Sequence, residues 1–96
     1  MNRTEHLLWV LAEECNEVAQ RASKAARFGL DETQTGQLKN NAERILEEYA
    51  DLVAIVEMMT AEGKLPPLNL RAMIDAKKIK FEKYLLLSAA CGTLSE

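Results

Sequence analysis

Apolar residues recur at intervals of three and four along three stretches of this chain, and two breaks keep the stretches apart. With 3.6 residues per turn, that spacing lines one face of an α-helix. The first stretch carries Leu7, Leu8, Leu11, Cys15, Val18, Ala19, Ala22, Ala25 and Ala26. It predicts a helix from about Arg3 to Phe28, with Asn2 or Thr4 as N-cap and Gly29 as the stop. A polar connection from Gly29 to about Gln37 leads to a second helix, from near Leu38 to Thr60. Its stripe is Ala42, Ile45, Leu46, Tyr49, Leu52, Val53, Val56 and Met59. Gly63 ends it, and Pro66-Pro67 prevents early resumption because proline lacks an amide donor and restrains its predecessor. Asn69 then caps a third helix over about Leu70 to Ala90, with a stripe of Leu70, Met73, Ile74, Phe81, Tyr84 and Leu85.

Three helices joined by short connections give an all-α fold, an antiparallel helical bundle in one domain spanning residues 1–96. A chain of 96 residues has room for only one modest core. Completion of the bundle by a second copy of the chain is therefore expected. Hydrophobic residues make up 48% and charged residues 28%, too balanced for a disordered chain. The net charge of −3 disfavours a nucleic-acid polymer as partner. Cys15 and Cys91 form no disulfide framework and no zinc spacing, and Cys15 reads as a small buried hydrophobe. MNRTEHLLW lacks the uniformly apolar run of a signal peptide, and no segment approaches a membrane span. A cytoplasmic protein without a membrane partner is the expectation.

Two acidic clusters interrupt this apolar patterning. Glu13, Glu14 and Glu17 spell EExxE, and Glu48 and Asp51 spell ExxD, with Glu47 beside them. With His6 set at zero and 100° per residue, Glu13, Glu17 and Lys24 fall within about 20° of it. Glu14 lies near ~80°, leaning towards an apolar stripe centred near ~150°. On the second helix Arg44, Glu48, Asp51 and Ile55 share a stripe beside the apolar face. Antiparallel packing would let Glu14 and Glu17 meet Glu48 and Asp51. Four carboxylates that close need a counter-charge or must take up protons. Oxygen-only ligands select Mg²⁺, with Mn²⁺ as a substitute, and waters fill the remaining positions. A solvated helix face is the commoner explanation for either cluster alone; two of them at the edges of apolar stripes favour a site.

The segments LAEECNEVAQRASKAARFGL and EEYADLVAIVEMM resemble the MazG-like, all-α nucleoside triphosphate pyrophosphohydrolases, whose signature is EExxE, a spacer, then ExxD. The likeness extends from about His6 to Ser88, with 30 residues between Glu17 and Glu48. It implies Mg²⁺-dependent cleavage of an NTP or dNTP to a monophosphate and pyrophosphate. On the matching positions it makes Glu14, Glu17, Glu48 and Asp51 metal ligands. Glu13 and Glu14 become the catalytic pair, Glu13 orienting or deprotonating the attacking water or helping to hold a second ion. The resemblance also implies a homodimer or homotetramer in which paired chains build a four-helix core, in agreement with the small-core argument. Rival readings are a dUTPase-like or phosphoribosyl-ATP pyrophosphohydrolase of the same superfamily, or a non-catalytic helical interaction module.

The charge pattern supplies candidates for a polyanion. From Asp31 to Glu62 eight carboxylates face only Lys39 and Arg44, whereas Lys77, Lys78, Lys80 and Lys83 crowd the third helix. Lys24 either contacts phosphate or complements its helix dipole; Arg27 fits the dipole role better, and Arg21 is the least determined. Lys77 and Lys80 are candidate phosphate contacts, Lys77 first because it falls within the stripe of Ile74, Phe81 and Tyr84. His6, on the acid-bearing face, is a weaker candidate for a base or ribose. Trp9 lies off the main stripe and suits a subunit interface better than a nucleobase stack.

Overall fold

The computed structural model describes residues 1–67 and 69–95. The chain is all-α, with α1 spanning Arg3–Phe28, α2 Asn41–Ala61 and α3 Leu70–Ala90, and no strand among the described residues. Each helix starts on an asparagine whose side chain accepts an otherwise unpaired amide: Asn2 from Glu5, Asn40 from Glu43 and Asn69 from Ala72. Asn40 and Glu43 form a full capping box, since the Glu43 carboxylate also accepts from the Asn40 amide at 3.1 Å. That box moves the start of α2 to Asn41 instead of the expected Leu38, which is left 100% exposed. Gly29 and Gly63 follow the first two helices at φ values of 101° and 74°, which side chains with a Cβ seldom adopt.

Residues Met1–Pro66 and Pro67–Glu96 form two compact units. In the first, α1 and α2 pack as an antiparallel hairpin. Arg3, at one end, makes a two-pronged 2.8 Å contact with Glu62. At the other end the Asn41 amide donates to the Glu32 carbonyl at 2.9 Å, and the Ala42 amide to that of Leu30 at 3.0 Å. The Asn41 side-chain amide donates to the Gly29 carbonyl and to the Glu32 carboxylate, both at 2.8 Å. Asn41 is thus 2% exposed without an unmet donor, and it ties the interhelical connection to both helices.

The seam between these helices follows a seven-residue pattern. On α1 it runs through Leu7, Leu11, Glu14, Val18, Arg21 and Ala25, and on α2 through Asn41, Ile45, Glu48, Leu52, Ile55 and Met59, all buried or half-buried. Such 3–4 spacing keeps one narrow face towards a partner helix. One end is apolar, with Leu7, Ile55 and Met59 buried and Val10, Leu11, Leu52 and Leu65 packed round them. The other end carries Glu14, Arg21, Asn41 and Glu48. This rotates both helices from the expected stripes. Leu8, Ala19, Ala22 and Ala26 of α1 and Ala42, Leu46 and Tyr49 of α2 are exposed, and Cys15, expected inside, is exposed too. Ile55, assigned to the acid-bearing stripe, is core.

In the second unit α3 buries none of its residues. Leu70, Met73, Ile74, Phe81, Tyr84 and Leu85 are all exposed, so the stripe read from the sequence finds no partner among the described residues of its own unit. No helix among the described residues is long and apolar enough to cross a membrane.

Candidate metal centre

Glu14 enters the seam because seven residues separate it from Leu7, which returns it to the same face after two turns. Glu48 does so by the same spacing from Ile55, and Asp51 follows Glu48 by one turn on the solvent side. In the antiparallel hairpin these three meet. One carboxylate oxygen from each of Glu14, Glu48 and Asp51 lies within 4.8 Å of the others. Glu14 and Glu48 are half-buried and Asp51 is exposed, so the cluster opens to solvent at Asp51.

The electrostatic consequence falls on Glu14. Its carboxyl is held above the ordinary 4.5, first because burial strips it of water, then because Asp51, Glu48, Glu13 and Glu17 repel its charge. A cation among these oxygens would relieve both effects. Octahedral ligation at about 2.1 Å sets adjacent oxygens about 3.0 Å apart and opposite ones about 4.2 Å, so the three carboxylates would draw together by side-chain rotation to hold Mg²⁺ or Mn²⁺.

Other expected residues are placed as follows. Glu17 is half-buried one turn beyond Glu14, near enough to repel it, but is not among the three converging oxygens. Glu13 is exposed beside Glu14 and contributes to the same repulsion. His6 is exposed near the start of α1. Lys24 is half-buried and lines a cleft of about 500 Å³ with Arg27, Phe28, Glu32, Gln34, Thr35 and Asn41. In the second unit Lys77 borders an apolar groove with Leu70, Met73, Ile74 and Phe81, and the Lys80 ammonium lies 5.8 Å from the centre of the Tyr84 ring. Both lysines are exposed. Trp9 is also exposed, in a shallow hollow with Glu5, Leu8 and Ala12.

Arg21 and Asn41 had no settled role in the sequence, yet both are buried on the seam. A signal for them existed. Leu7, Glu14 and Arg21 repeat every seven residues, as do Asn41, Glu48 and Ile55. Polar side chains sharing a heptad position with core residues mark a seam that is polar by construction.

Comparison of the chain with family models, with curated proteins and with solved structures finds no match. The case for function therefore stands on the carboxylate geometry and the motif.

Proposed function

We propose that this protein is a Mg²⁺-dependent nucleoside triphosphate pyrophosphohydrolase that converts an NTP or dNTP to a monophosphate and pyrophosphate, with Mn²⁺ able to replace Mg²⁺. The observation that carries this reading is the convergence of Glu14, Glu48 and Asp51, contributed by two helices within an otherwise packed seam. Burial and mutual repulsion raise the Glu14 pKa, an arrangement that costs stability unless a cation offsets it. The resemblance of EExxE and ExxD to the MazG-like signature supports the same chemistry.

Glu14, Glu48 and Asp51 would hold the ion, and Glu17 is one turn away as a fourth ligand. When bound, the ion supplies charge stabilisation for the phosphates and a more acidic water. Glu13, exposed next to Glu14, is free to orient the attacking water and accept its proton. Lys24, ten residues along α1 from Glu14 on the wall of a separate cleft, is a candidate point charge for the phosphate chain. His6 is exposed on α1, and Lys77 and Lys80 are exposed on α3 of the second unit, where their charge alone makes them candidates for phosphate. The exposed apolar stripe of α3 supports assembly into a homodimer or homotetramer. Two free cysteines suit a reducing, cytoplasmic setting.

The test is a pyrophosphate-release assay on the common NTPs and dNTPs, including dUTP, and on phosphoribosyl-ATP, with and without Mg²⁺. It is repeated with Glu17→Gln and Asp51→Asn. Mg²⁺-dependent release that both substitutions reduce is expected. Undiminished activity in both variants would sink the metal-site assignment. Silence with every substrate would remove the catalytic reading and leave a helical interaction module.

A further inference from the structure

Arg21 is 7% exposed, and its Nη1 is buried with no hydrogen-bond partner among the described residues. Arginine stays charged at any physiological pH, so burial cannot be relieved by losing a proton. An unpaired buried guanidinium nitrogen is among the costliest groups a fold can retain. Nearly all buried polar atoms in folded proteins find a partner, and an exception calls for one. The exposed helix surface offers no such constraint; this arginine is held on the seam, seven residues and two turns after Glu14.

Helix geometry sets the default direction of a long side chain. The Cα–Cβ bonds of a helix tilt towards its N-terminus, and long side chains lie over the preceding turn. From position 21 that turn contains Glu17 and Val18, the side of the seam on which Glu14 and Glu48 lie. The seam thus carries a carboxylate cluster and, two turns along α1 from Glu14, a buried arginine whose Nη1 has no partner among the described residues. Carboxylates attract a cation, and a guanidinium prefers a planar pair of anionic oxygens. A phosphoanhydride carrying a divalent ion satisfies both, its oxygens shared between the ion and the arginine.

We infer that Arg21 is the anion-binding half of this site, donating from Nη1 to a phosphate oxygen of a pyrophosphate-containing ligand. The inference rests on the carboxylate reading of the cluster but is separately testable. A ligand-binding role makes a further demand that a structural role does not. Replacing Arg21 by methionine should leave the free protein as stable as before or more stable, because an unpaired buried charge is exchanged for a matching apolar side chain.

The probe is inorganic pyrophosphate, titrated calorimetrically into the full chain with and without Mg²⁺, alongside Mn²⁺ titration in the absence of pyrophosphate. Wild-type protein should bind pyrophosphate, and Arg21→Met should weaken that binding about tenfold or more. Mn²⁺ affinity should stay within about twofold, and the unfolding midpoint should not fall. Arg21→Lys, which keeps the charge but not the planar fork, should recover only part of the affinity. If the wild-type protein binds no Mn²⁺, the carboxylate reading fails by itself, and pyrophosphate binding that still depends on Arg21 without metal supports the arginine's role. Equal pyrophosphate affinity in wild type and Arg21→Met, or no pyrophosphate binding in either condition, overturns the inference. So does an Arg21→Met variant that is destabilised in a concentration-dependent way, which would put the partner of Nη1 on a second copy of the chain.

Discussion

Met59→Ala probes the packing that sets the two acid-bearing helices against each other. Met59 is 1% exposed and packs with Leu7 and Ile55 at the apolar end of the α1–α2 seam. Burying such a side chain is worth about 1.5–3 kcal/mol, and the cavity left by truncation raises the cost to about 2–5 kcal/mol. A unit of this length, Met1–Pro66, has a total stability of about 3–10 kcal/mol. One truncation should therefore remove about half of it. Urea unfolding followed by helical circular dichroism reads the effect; with a slope of about 1 kcal/mol per molar, the midpoint should drop by about 2 M or more. Leu46→Ala, at a residue 67% exposed, is the control and should stay within about 0.5 kcal/mol. Mn²⁺ at a hundred times its dissociation constant should add about 2.7 kcal/mol to wild type and to Met59→Ala alike, provided the site survives. A Met59→Ala loss below about 1 kcal/mol, or one equalled by Leu46→Ala, would refute the claim that this seam holds the hairpin together.

Three further outcomes are expected. Glu14→Gln and Asp51→Asn should each weaken Mn²⁺ binding about tenfold or more in calorimetric titration, while leaving the metal-free protein no less stable at neutral pH. The raised Glu14 pKa means that the folded state holds this proton more tightly than the unfolded chain. Its stabilising effect is full below 4.5 and is lost as pH rises through the folded-state value. Thermal unfolding of metal-free protein across that window should show this decline, and Glu14→Gln should lack it. Glu62, lowered by its hydrogen bond with Arg3, acts in the opposite window, its contribution being lost as pH falls below 4.5. Asn40→Ala removes the capping box of α2 and should cost about 1 kcal/mol in urea unfolding, since the Glu43 amide loses its acceptor.

Much of the secondary structure follows from local physics, which a sequence displays directly. Gly29 and Gly63 stop helices because the backbone there turns to positive φ, and Asn2 and Asn69 cap because their side chains reach amides three residues on. α1 and α3 consequently begin and end where expected. The start of α2 lay a few residues off because Leu38 continues an apolar pattern, whereas the Asn40–Glu43 box supplies the stronger start.

The amino-acid sequence by itself determined three helices, their punctuation, and the fact that carboxylates sit close to the inward faces of two of them. Which side chains meet was decided only by the tertiary structure. Periodicity gives angles within one helix, but a pair of helices has its own rotation and axial offset, and neighbouring residues differ by about 100° in direction. The observed rotation brings Ile55 into the core, turns Cys15 and Tyr49 outward, and selects Glu14, Glu48 and Asp51 from six nearby acids. The same rotation buries Arg21, whose charge alone would have placed it in solvent.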